Sequence, residues 1–140
     1  MTKETFLLFL GAVGATITSL FGGWDNATIT LLWFMLIDYI MGLIVAGIFK
    51  RSKKSKTGAL SSNASWKGLC KKFASLLFVI IGYRVDLLIG TNFVKDAVVS
   101  SFICNEAISI FENAGLMGIP IPDKLKKAIE VLRKDNQDVQ

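Results

Sequence analysis

The chain has 140 residues, 52% of them hydrophobic and a further 12 Gly, while only 19% are charged and the mean hydropathy is +0.52. A soluble body of this size needs a larger share of charge on its surface, so the composition favours a membrane protein. The 16 Lys+Arg against 11 Asp+Glu leave +5, gathered between Lys50 and Lys72 in a way that does not suggest nucleic acid, and two cysteines with no histidine exclude a disulfide framework and a Cys/His zinc site.

A bilayer core roughly 30 Å thick takes about 20 apolar residues of helix. Residues 6–23 (FLLFLGAVGATITSLFGG) contain no ionisable group and form the first expected span. Lys3 is balanced by Glu4 and no small-x-small site precedes a polar mature domain, so this run is expected to stay in place and not to be cleaved as a signal peptide. Gly11, Gly14, Ala15, Thr18, Ser19 and Gly22 recur on it at i, i+3, i+4, i+7, i+8 and i+11, one stripe of small residues. Helices in lipid associate through close packing and not through hydrophobic burial. The stripe therefore reads as a helix–helix contact, between copies of the chain or within one subunit.

Residues 29–49 form the second expected span, with Asp38 inside it. An Asp at mid-helix costs about 3 kcal/mol, and the twelve Leu, Ile, Phe or Val of this run each return roughly 0.3 to 0.6 kcal/mol, so insertion still wins. Gly42 and Ala46 follow Asp38 at helical spacing and give a second small ridge on the same face, expected to avoid lipid and to join the oligomer interface.

Lys50, Arg51, Lys53, Lys54, Lys56, Lys67, Lys71 and Lys72 then fall in a segment, 50–72, that holds no acid. It reads as one basic loop, cytoplasmic by the positive-inside rule, which also puts the N-terminus in the cytoplasm. Residues 73–90 form a third span with Arg84 and Asp86 near its far end. Counting about 1.5 Å per residue brings Asp38 and Arg84 to similar depth. Either the two form an ion pair, with Asp86 or Lys95 as competing partners, or Arg84 and Asp86 snorkel to the headgroups.

Residues 93–113 are the fourth candidate. Ser101, Asn105, Ser109 and Glu112 make a polar stripe at i, i+4, i+8 and i+11, with Glu106 and Asn113 beside it. Such a crossing is stable when other subunits cover the stripe or a lumen wets it, the mark of a pore; the alternative is an interfacial helix lying flat. The tail carries Lys124, Lys126, Lys127, Arg133 and Lys134, which prefer the cytoplasm and so favour four spans over three. Asp123, after Pro120 and Pro122, is expected to cap a short amphipathic helix bearing Leu125, Ile129 and Leu132. The expected organisation is an all-α membrane domain over 1–115 and a cytoplasmic tail over 116–140.

No phosphate loop, nucleophile motif or cluster of metal ligands is present, so neither enzyme activity nor a cofactor is expected. Cys70 reads as an inert cytoplasmic thiol and Cys104 as a packing residue.

The order of short motifs resembles the small phage lysis holins of the pneumococcal-phage type, which include the clostridial toxin-secretion holins. The matching residues are Asp38-Tyr39 with Gly42, Ser65-Trp66-Lys67-Gly68-Leu69 with Lys71-Lys72, Asn105-Glu106 followed by Ser109-Ile110 and Glu112-Asn113, and Ile119-Pro120-Ile121-Pro122 with Leu125. The resemblance implies a homo-oligomer in the bacterial cytoplasmic membrane that opens lesions for an endolysin, or for a large toxin. It also implies three spans, against the four that the charges favour. Two other classes fit the same residues: an ion channel or transporter subunit with Asp38, Arg84 and Glu106 as pathway charges, and a membrane adaptor that recruits a partner through its basic segments.

Overall fold

The computed structural model describes residues 1–137 and is all-α, with no strand among the described residues. The last three residues of the expected tail, 138–140, lie outside the described residues.

Helix α1 (Lys3–Phe21) begins where the Thr2 hydroxyl accepts the Thr5 N–H and ends at Gly22, whose φ of +70° closes the helix in the left-handed region. Asp25 starts α2 (Asn26–Ile44) by accepting the Thr28 N–H at 2.8 Å. A π-helical turn, Val45–Phe49, continues α2 into a 24-residue rod, and Lys50 stops it at φ +52°. Helix α3 (Ser62–Ile89) is capped by Ser61 and closed by Gly90; α4 spans Phe93–Leu116, and α5 spans Asp123–Gln137.

The expected basic loop over 50–72 needs correction. Only 50–61 is irregular, and Lys67, Lys71 and Lys72 stand on the first turns of α3. The Ser61 cap starts the helix early, and Trp66, Leu69 and Phe73 continue its apolar face at helical spacing upstream of the hydrophobic run. Asp123 is likewise the first residue of α5 and not its cap. On that helix Ile129 is buried, while Leu125 and Leu132 stay exposed.

Helices α2, α3 and α4 pack around Leu31, Met35, Val79, Val99 and Ile103, with α1 adding Phe21 from its last turn. No other residue of α1 is buried, and Phe6, Leu7, Leu8, Phe9 and Leu10 are all exposed. So much uncovered apolar surface suits lipid and not water. Among the described residues, α1 and the rod over Asn26–Phe49 are the two helices long and apolar enough to cross a bilayer by length and composition. At about 1.5 Å per residue α3 and α4 are about 42 and 36 Å long, sufficient in length but richer in charge. Hydropathy therefore supports two of the four expected spans.

Candidate functional site

Three helices each contribute one charged side chain to a single cluster near their middles. Lys72 of α3 donates to Asp38 of α2 at 2.7 Å and to Glu106 of α4 at 2.6 Å. Asn113 of α4 donates through Nδ2 to the other Asp38 oxygen at 3.0 Å. Asp38 is only 4% exposed, and the Lys72 and Glu106 side chains are 14% and 13% exposed. Groups this deep lose most of their hydration, so the short charge-assisted bonds are what makes the arrangement tolerable. One ammonium serves two carboxylates, and the cluster lies in the wall of a crevice of about 790 Å³ between α3 and α4.

This replaces the expected Asp38–Arg84 pair. Because α3 starts at Ser62, Lys72 reaches the level of Asp38, and Arg84 lies about 18 Å further along the axis, exposed. Asp86 caps a helix instead: it accepts from the Thr91 hydroxyl and from the N–H groups of Val94 and Lys95 at 2.6, 3.0 and 2.8 Å. The α4 N-terminus has no side-chain bond from its own cap residue, Asn92, and Asp86 satisfies its orphan donors from the preceding helix.

A second buried ammonium, Lys95, lies beside this cap. It donates to the Phe21 carbonyl at the end of α1 at 2.5 Å, lies 3.6 Å from Asp25, and sits 5.8 Å from the centre of the Tyr83 ring. Burial alone would push the Asp25 carboxyl up. The Thr28 N–H and the Lys95 charge outweigh it and hold Asp25 below the ordinary carboxylate range.

The remaining expected site residues separate into groups. A Cβ on Gly11 or Gly14 would meet nothing within 4 Å, and Ala15 and Ser19 are exposed. Thr18 donates to the Gly14 carbonyl and accepts from the Trp24 indole N–H, whereas Gly22 lies against the Tyr83 ring. The Gly42 and Ala46 ridge, expected at the oligomer interface, is turned inward: a Cβ on Gly42 would stand 4.0 Å from Asn113 Nδ2, and Ala46 is buried. The polar stripe of α4 is divided. Glu106 accepts from Lys72 and Asn113 donates to Asp38, Ser109 is half-buried in the crevice wall, and Ser101, Asn105 and Glu112 remain exposed. Lys50, Arg51, Lys53, Lys54, Lys56, Lys67 and Lys71 are exposed, and Arg51 reaches the Leu116 carbonyl at 3.4 Å, joining the start of the basic segment to the end of α4. Sequence reasoning missed Lys72 as the partner of Asp38, because hydropathy hides a helix that begins before its apolar run.

Residues 15–134 match the bacteriophage holin family. A protein of Bacillus phage phi105 described as a probable holin is 34% identical over 102 residues, covering 72% of this chain and 70% of its own. An uncharacterized Listeria innocua protein is 38% identical over 126 residues, 89% of this chain and 84% of its own. An uncharacterized 14.9 kDa protein from Clostridium perfringens is 37% identical over 123 residues, 86% and 87% of the two chains. No solved structure matches.

Proposed function

The chain belongs to the bacteriophage holin family, and we propose that it accumulates in the cytoplasmic membrane of a host bacterium, assembles with copies of itself and opens lesions. A cell-wall hydrolase, or for a toxin-associated member a large toxin, then escapes. The observation that carries this reading is the division between a packed core and α1, whose small-residue stripe faces open space at the Cβ positions of Gly11 and Gly14. Close packing is what drives helices together in lipid, so a free small-residue surface is suited to another copy. Association through it rises steeply with density in the membrane, which supplies the delay before opening.

By the same reading α3 and α4 cross the bilayer with α1 and α2, making residues 1–115 the membrane domain. Lys72 supports this, because it ties Glu106 of α4 and its own helix α3 to Asp38 on a rod that is itself apolar enough to span. The bond from Arg51 to Leu116 supports a common side for the basic segment and the end of α4, and the lysines favour the cytoplasm for both, with the tail over 116–140. Ser101 then lies on an outer surface of α4 that neighbouring copies cover or a lesion wets, and Asn105 and Glu112 line the crevice between α3 and α4.

Induced expression together with a cell-wall hydrolase tests the reading. The expected outcome is abrupt lysis with release of whole cytoplasmic proteins. Gly11→Leu is expected to delay lysis while membrane yield stays unchanged. Leakage of ions without protein release would assign the chain to a channel class and overturn the proposal, and an unchanged lysis time for Gly11→Leu would remove α1 as the contact.

A further inference from the structure

The crevice between α3 and α4 has two chemically different ends. Lys54 from the irregular segment and Lys67 and Lys71 on α3 line one end, and Ala74, Phe78 and Phe102 line the other. From Lys67 to Phe78 the α3 wall extends about 16 Å, the length of a headgroup and the first part of an acyl chain, and the crevice wall also carries Ser75, Asn105, Ser109 and the Asp38–Lys72–Glu106 cluster. Among the described residues no carboxylate lies within ion-pair distance of Lys54, Lys67 or Lys71, since the three bridges that form belong to Lys72 and Lys95. Asp38 and Glu106 are occupied by Lys72, which leaves Glu112 as the one unpaired acid on the crevice wall. Three free ammoniums against Glu112 and the one surplus negative charge of the Lys72 cluster leave the crevice net positive, which makes the basic end a place for an anion, and its apolar continuation suits an anion that carries hydrocarbon.

We propose that this crevice binds an anionic phospholipid of the cytoplasmic leaflet, its phosphate between Lys54, Lys67 and Lys71 and an acyl chain along Phe78 and Phe102. The inference rests on the reading that α3 crosses the membrane with Ser62 at the cytoplasmic end, which brings these lysines to headgroup level. Ammonium-to-phosphate contacts at a membrane surface are worth about fivefold in affinity per lysine.

Native mass spectrometry of the full chain, released from detergent containing equal amounts of phosphatidylglycerol and phosphatidylcholine, tests it. The wild type is expected to retain phosphatidylglycerol preferentially. The double variant Lys67→Gln/Lys71→Gln should lose about 25-fold of that preference, at about fivefold per lysine. Lys53→Gln/Lys56→Gln removes the same charge outside the crevice and should leave the preference in place, while Glu112→Gln should raise it. Equal losses in both lysine doubles would mean diffuse attraction and overturn the site. Displacement of the lipid by inorganic phosphate would assign the lysines to a free anion and also overturn it. A wild type that lyses cells on schedule yet shows no lipid preference overturns this inference alone and leaves the lesion-forming reading standing.

Discussion

Two buried ammoniums sit at different levels of the bundle, and they are used differently. The Lys95 ammonium is met by groups that end helices, the last carbonyl of α1 and the Asp25 cap of α2, while the backbone N–H of the same residue is held by the Asp86 cap of α4. Its charge holds chain ends together, and backbone groups supply much of its company. Lys72 is met by side chains from the middles of α2 and α4, with no helix end among them. Two carboxylates share it beside an open crevice, so its cluster has a surplus acid and access to whatever fills that space. The same residue type closes a fold in one place and stores an imbalance in the other.

Removal of Lys72 is expected to do the most damage. Lys72→Met leaves Asp38 and Glu106 buried without a cation, and a loss of about 3–5 kcal/mol is expected in thermal or denaturant unfolding in detergent. Lys95→Met should cost less, about 1.5–3 kcal/mol, because Asp25 is half exposed and returns to solvent. If the two variants are equally damaging, the distinction between the sites fails. Glu106→Gln tests the imbalance itself: the surplus charge disappears while an oxygen still accepts from Lys72, so the change should stay below about 1 kcal/mol. A loss as large as that of Lys72→Met would show that both carboxylates are needed.

The smallest effect belongs to Asp25. Its carboxyl is lower in the folded chain than in the unfolded one, so its contribution is complete above the unfolded value and is lost as the pH falls through the folded value. Unfolding midpoints of wild type and Asp25→Asn should therefore differ at neutral pH and converge in strong acid. A difference that persists there would mean that the side chain acts through packing and not through charge.

Much of this was legible from residue order. The first two spans follow from apolar length, and Asp38 and Glu106 stand out because an acid in such surroundings needs a partner. The partner itself was hidden. Lys72 sits among seven other cations, all of which read as a solvated loop, and only the Ser61 cap with Trp66 and Leu69 reveals that helix precedes the apolar run. Depth counted from the outer ends of the apolar runs led to Arg84, because Lys72 reads as part of the loop. Asn113 stood next to the polar stripe but has no charge to single it out. The inward turn of Gly42 and Ala46 was equally invisible, since a small residue permits close approach without saying which chain approaches.

Helix α1 is fastened at one end. The Phe21–Trp24 ring stack at 5.2 Å, the contact of Gly22 with Tyr83 and the bond from Lys95 all lie within a few residues of Gly22 and Gly23, both at positive φ. Swinging the arm about this hinge would disturb those contacts together with the Thr18–Trp24 bond and the seat of Phe21 in the core, while the rest of α1 would exchange one lipid neighbour for another. On the proposed reading, α1 is the part of each copy open to an adjacent body, while α2, α3 and α4 form its packed centre.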